Sequence, residues 1–222
     1  MEAGVGIVVL AGTGRYADPW HDFPGTSEAI AGVLRKEGHA VEVRPTEPDA
    51  FDLAGADLLV VNAGGGLHED TGGTEWAAAH AALTTTLSIG MPVLGVHAAA
   101  NTFTDVPAWH ARLGGRWVVG TSMHPERGES RFDVVMPPHP IVAGLHTLHV
   151  ADDERYSRLE TDPFVVPLLD HAHDGLRHVC AWVHDGAHGR AVYDGLGHGA
   201  TSYDSPDRRE LLLREVRWLL GA

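Results

Sequence analysis

Short apolar runs that end in small residues, each followed by a helical stretch, constrain the fold of this chain most. Residues 4–11, 40–43, 57–63 and 91–96 read as strands: they are brief, apolar and bounded by turn-forming residues. Between them, a helix is expected to begin near Thr26 or Ser27, bury Ile30, Val33 and Leu34, and stop at Gly38. An alanine-rich helix follows over 75–88, then a short helix or turn around 107–113. Strand–helix alternation of this kind predicts an α/β fold, a three-layer α/β/α domain around a doubly wound, mainly parallel sheet. The second half is less regular, with strand-like stretches at 131–136, 148–150, 164–169, 179–184 and 190–193, then an amphipathic helix over 211–220. No linker or repeat interrupts residues 1–222, so one domain is expected. Doubly wound sheets keep ligands outside the carboxyl ends of their strands, which directs attention to residues 12–22, 64–68 and His97.

The fourth run ends in Gly95-Val96-His97-Ala98-Ala99. Pro92 opens it and small residues close it, so the chain turns sharply and presents His97 at a strand end. Elbows of this kind normally carry Ser or Cys. Imidazole there binds a proton, a metal or an oxyanion, but it replaces an acylated thiol poorly. A histidine that only caps the following helix is the plainer alternative. The single cysteine, Cys180, lies in an apolar strand beside Trp182 and reads as core.

Several functions are disfavoured by composition. The net charge is −14, and the 16 Lys and Arg form no basic run. Nucleic acid and anionic membrane surfaces need clustered cations and are not expected partners. No apolar run approaches bilayer length, the N-terminus has no basic leader, and a lone cysteine forms no internal disulfide. These features favour the cytoplasm and a small-molecule partner, and are compatible with a homo-oligomer. Gly12-Thr13-Gly14-Arg15-Tyr16-Ala17 fits the dinucleotide fingerprint G-x-G-x-x-A. However, Pro19 and Pro24 delay the helix whose N-terminus would hold the pyrophosphate, so a nucleotide is not expected.

Further matches run in order along most of the chain. Gly95-Val96-His97 is followed by Phe103, Trp109 and Leu113-Gly114-Gly115, then His139-Pro140-Ile141 with Gly144-Leu145. Asp153-Glu154-Arg155-Tyr156, Gly189-Arg190, Tyr193 and Leu196-Gly197-His198 complete the series. In this series the chain resembles the ThuA-like (trehalose utilisation) family, a branch of the class I glutamine amidotransferase-like, flavodoxin-like fold. The resemblance implies an amidotransferase sheet that has lost its nucleophile, with no glutaminase activity. It also implies a part in the metabolism of trehalose-type disaccharides or their keto derivatives. Asn101 stands where many relatives carry an acidic residue shortly after the elbow, which removes a carboxylate role there.

Sixteen dispersed histidines justify looking for a cluster. His97 and His198 each follow close on a predicted strand end near glycine and are the first candidates for catalysis. The resemblance brings the His198 loop to the elbow. Glu154 and Tyr156 share a face by alternation, and Glu154 serves as acid or base if its surroundings raise its pKa. His21, Asn101, His139, Tyr156 and Trp20 are candidate substrate contacts, with His68 and His124 further out and Phe103 and Trp109 as further sugar platforms. Proton shuttling between hydroxyl-bearing carbons needs no cofactor. A divalent ion such as Zn²⁺ on several imidazoles is the second reading, although no H-x-x-x-H spacing announces it. A non-catalytic carbohydrate-binding or regulatory module is the third.

Overall fold

The computed structural model describes residues 6–65, 74–136, 138–186 and 189–221. Its elements, in chain order, are β1 (Gly6–Ala11), α1 (Phe23–Lys36), β2 (Ala40–Pro45), β3 (Leu58–Asn62), α2 (Thr74–Ser88) and β4 (Val93–Val96). There follow α3 (Pro107–Leu113), β5 (Gly115–Arg116), β6 (Gly128–Val134), β7 (Thr147–Asp153) and β8 (Glu160–Thr161). The last elements are β9 (Val166–His173), β10 (Leu176–Gly186), β11 (Gly189–Asp194) and α4 (Pro206–Leu220). Nine strands form one sheet in the order β2-β1-β3-β4-β11-β10-β9-β6-β7, while β5 and β8 pair separately. Parallel pairing holds from β2 through β11, and antiparallel pairing from β11 through β7. Only β6 and β10 therefore oppose the common direction, and the carboxyl ends of β1, β4, β7 and β11 share one edge.

Alternation along the strands fills two separate cores. Ile7, Val9, Leu58, Val60, Leu94, Val96 and Val192 face α1 and α4, through Ile30 and Leu34 of the first helix and Leu211, Leu212, Val216 and Leu219 of the second. Val8, Leu10, Leu59, Val61, Val93, Ala191 and Tyr193 face α2 and α3, through Ala79, Leu83 and Leu87 and through Trp109 and Leu113. Every residue of β3 and β4 is buried, as central parallel strands covered on both faces require.

The first helix begins earlier than Thr26. Asp22 caps it by accepting from the Gly25 amide at 3.0 Å, and Pro24 sits in the first turn, where a missing N–H removes no helical bond. Proline read as a barrier is instead part of the start. Gly38 takes the left-handed conformation just after the helix, at φ 91°. The dinucleotide-like segment forms a 3-10 turn over Gly14–Tyr16 rather than a helix start. Gly12 is there for packing: a Cβ on it would run into the Tyr16 carbonyl and lie 2.7 Å from the Phe23 ring. The antiparallel strands and α4 run longer than the sequence patterning suggested, because tertiary pairing extends them across charged and turn-favouring residues.

Candidate active site at the carboxyl edge of the sheet

Four loops meet above the shared edge. The loop after β1 carries Asp18, Trp20 and His21. A 3-10 turn, His97–Asn101, follows β4 directly, and His97 adopts a left-handed conformation at φ 47°. A bulky residue there stores strain, of the order of 1 kcal/mol, which the surrounding structure must offset. Glu154 follows β7, and His198 follows β11. Asp153 ties the last two loops together: it is fully buried and accepts from the amides of Glu154, Gly197 and His198, each at 2.9 Å, and from the Ser202 hydroxyl at 2.7 Å. The pair Asp153-Glu154 thus divides its work, one carboxylate turned inward as an anchor and the other presented at the edge.

Glu154 lies between two imidazoles. Its Oε2 is 3.3 Å from His97 Nε2 and 3.2 Å from His198 Nδ1, and its Oε1 is 3.7 Å from His124 Nδ1. The Nδ1 of His97 donates to the Gly195 carbonyl at 2.8 Å, so in the neutral ring Nε2 carries the lone pair. His21 is set the same way: its Nδ1 lies 2.7 Å from the Asp18 carboxylate, which leaves Nε2 as the free nitrogen. His21 Nε2, His97 Nε2 and His198 Nδ1 are buried without a hydrogen-bond partner. With a Glu154 oxygen, they all lie within 4.8 Å of one another. This is the one such grouping of His, Cys, Asp and Glu among the described residues.

Opposing effects act on Glu154. Burial raises its pKa, but His198 and His97 lying against it dominate and hold the carboxyl well below the usual carboxylate range. It is therefore an acceptor at neutral pH, and the general-acid role considered from sequence falls away. Burial lowers the pKa of His21, with His97 and His198 adding to the effect against the attraction of Asp18, so this ring is neutral at pH 7. Burial, then the charges of Glu154 and Asp18, push the Tyr156 phenol well above its usual value and keep its proton. Tyr156 packs against His97 at 4.1 Å between ring centroids, and His124 stacks over its outer side at 5.9 Å.

A cleft of about 350 Å³ opens beside this cluster, lined among others by Trp20, His21, Asn101, Trp117, Glu154 and Tyr156. Trp20 is 64% exposed at its rim. Of the residues singled out from sequence, His21, Trp20, His97, Asn101, Glu154, Tyr156 and His198 gather here, with His124 at the margin. His139 does not: its ring packs at a tilt against Trp218 of α4, centroids 5.3 Å apart, accepts from the Ile141 amide at 3.3 Å and has no part in the cluster. Its place before Pro140 makes it a turn residue. Phe103 and Trp109 are not sugar platforms, being buried in the core with Trp109 Nε1 donating to the Ala99 carbonyl. His68 lies outside the described residues. Asp18 and Trp117 were missed. Asp18 stands three residues before His21, a spacing that carries a local signal, whereas Trp117 reaches the cleft only through folding.

Cys180 is fully buried on β10, its Sγ 3.7 Å from the Leu169 carbonyl, and burial pushes its thiol well above the ordinary value. It lies in the core facing α1 and α4 and takes no part in the cluster. The sheet, the elbow after β4 and the late histidine loop define a class I glutamine amidotransferase-like fold whose elbow holds no thiol. The chain belongs to the ThuA, or trehalose utilisation, family, whose model matches residues 6–219.

Solved structures agree on the fold. A ThuA-like protein from Parabacteroides merdae superposes with a TM-score of 0.80 at 18% identity, covering 98% of this chain and 90% of that one. Another ThuA-like protein, from Bacteroides uniformis, gives 0.75 at 16% identity over 99% and 93%. A glutamine amidotransferase from Thermotoga maritima gives 0.62 at 11% identity over 98% and 99%. No curated protein matches the sequence. Among the described residues, no helix is long and apolar enough to cross a membrane.

Proposed function

We propose that this chain acts on a small sugar of the trehalose type, a disaccharide or its keto derivative, without glutaminase activity. The observation that carries the reading is the Glu154 carboxylate held between His97 and His198 beside a cleft rimmed by aromatic rings. Sugars present apolar C–H faces to aromatic rings and hydroxyls to polar groups. Trp20 and Trp117 offer the first surface, and Asn101, His21 and Tyr156 the second. In this arrangement Glu154 with His97 and His198 accepts a proton from a hydroxyl-bearing carbon or its hydroxyl. Tyr156, which keeps its own proton, donates to the oxygen where charge develops. Glutamine hydrolysis needs a thiolate at the elbow, and Cys180 is elsewhere.

The test is incubation of the purified chain with trehalose and with its 3-keto derivative, followed by mass spectrometry and calorimetric titration. Binding or conversion of at least one sugar is expected, abolished as conversion by Glu154→Gln and weakened several-fold as binding by Trp20→Ala. Absence of both binding and conversion by folded protein overturns the reading.

A further inference from the structure

We infer that His21, His97, Glu154 and His198 hold one divalent transition-metal ion. The inference goes beyond the sugar reading, because it stands on the geometry of the four side chains whatever enters the cleft. It changes the part played by Glu154 from proton acceptor to ligand.

Three buried nitrogens converge on one carboxylate oxygen, and two of them, on His21 and His97, present lone pairs to it. The lone pairs of His21 Nε2 and His97 Nε2 are fixed by hydrogen bonds on the opposite side of each ring, from Nδ1 to Asp18 and to the Gly195 carbonyl. A buried gathering of acceptors repels itself unless something positive sits at its centre. Two of the separations agree with a cation there. Ligands 2.0–2.1 Å from a tetrahedral ion lie about 3.3–3.4 Å apart along each edge. Glu154 Oε2 is 3.3 Å from His97 Nε2 and 3.2 Å from His198 Nδ1, and the whole set closes within 4.8 Å. The second layer of contacts also has the usual form. Asp18–His21 is a carboxylate–imidazole pair and Gly195–His97 a carbonyl–imidazole pair, each orienting a ring and fixing which nitrogen faces inward.

Donor chemistry narrows the ion. Three imidazoles and one carboxylate, without a thiolate, suit Zn²⁺, Co²⁺, Fe²⁺ or Mn²⁺ rather than copper(I) or calcium. His21 and Glu154 reach from the cluster to the wall of the cleft, so an oxygen of a bound molecule completes a fifth position from that side. Adjacent hydroxyl and carbonyl oxygens, as in a sugar or its keto form, are the ligand chemistry that such a position takes. Because the four residues come from loops after β1, β4, β7 and β11, no local sequence motif marks the site.

The experiment uses the full chain without a histidine tag, stripped by chelator and then titrated with Zn²⁺ and Co²⁺. One tightly held ion per chain is expected by elemental analysis, with the visible absorption of Co²⁺ in a nitrogen–oxygen site. His21→Ala, in the loop after β1 and outside the sheet, should weaken binding by 100-fold or more. Asp18→Asn should weaken it by roughly 10- to 100-fold through loss of ring orientation. His139→Ala, away from the cluster, should leave the tight ion in place. Circular dichroism verifies that each variant is folded. An ion held only loosely, or held equally by the His21→Ala and His139→Ala variants, means binding at exposed histidines and overturns the inference. Metal bound without any sugar response would sink the sugar reading alone, and sugar binding or turnover by a protein that holds no tight ion would sink the metal centre alone.

Discussion

Replacing Asp153 by Asn is the sharpest test of how the edge is held together. The side chain keeps its size and loses its charge and one acceptor. Its four partners are all donors: the Glu154 and His198 amides meet Oδ1, and the Gly197 amide and Ser202 hydroxyl meet Oδ2. A carboxamide cannot satisfy that pattern. In the cheaper orientation the new NH₂ takes the Oδ2 position, where the Ser202 hydroxyl can rotate and accept from it. The Gly197 amide then stays buried without a partner, which costs about 1–3 kcal/mol. The remaining bonds change from charge-assisted to neutral and lose roughly half their strength. Together the expected destabilisation is about 3 kcal/mol, or a fall of roughly 6–12 °C in thermal midpoint for a domain of this size. Urea denaturation of wild type, Asp153→Asn, Ser202→Ala and the double variant measures it, with coupling expected between the two sites. A loss below about 1 kcal/mol for Asp153→Asn would show that the four bonds do not carry the loops, and the reasoning would fail.

Other expectations follow from the same contacts. Glu215 is buried with Asp194 and Arg208; burial, then repulsion from Asp194, raise its pKa well above the usual value despite the guanidinium. Its stabilising contribution is full below its unfolded pKa of about 4.5 and is lost as pH rises toward the folded value, so Glu215→Gln should flatten the decline of thermal midpoint as pH rises above about 4.5. An unchanged slope would refute the raised pKa of buried Glu215. Cys180 should resist a thiol reagent in native buffer and react once urea unfolds the chain, and no ammonia should be released from glutamine; rapid native labelling would show the thiol is accessible. Gly12→Ala should lower stability measurably, because its new methyl meets the Tyr16 carbonyl and the Phe23 ring, with no dinucleotide binding in either protein; calorimetry with NAD and a thermal scan decide.

Much of the architecture was legible because burial on both faces leaves a coarse pattern. The runs at the heart of β1, β3 and β4 are apolar without a break, and a one-residue error in their ends alters nothing. Proline misled at α1, since the same residue that breaks a helix interior is favoured in its first turn. His97 stood out because a sharp strand-end turn among small residues forces one side chain into view. His21 was open to grouping with His97 from sequence, but the contact of their rings was not, since it depends on how the β1 loop folds back over Gly65, where a Cβ would run into the Arg15 carbonyl. Pattern also placed His139 wrongly: nothing in His-Pro-Ile distinguishes a turn beside Trp218 from a site loop. Adjacent carboxylates at 153 and 154 were rightly separated onto different faces, but only the donors around Asp153 reveal its role as an anchor.

The converging side chains are spread from residue 21 to residue 198, and no two come from neighbouring strands in sequence. Half a chain therefore contains no half-working version of the cluster, and loop closure over such spans is slow and entropically costly. Whatever binds there clasps the beginning of the polypeptide to its end. A ligand at this edge should consequently protect even distant strands from proteolysis and hydrogen exchange, since opening any one of the four loops requires letting go of it. Competence for chemistry and completion of the fold would then be a single event, reached only after the last strand of the sheet has joined.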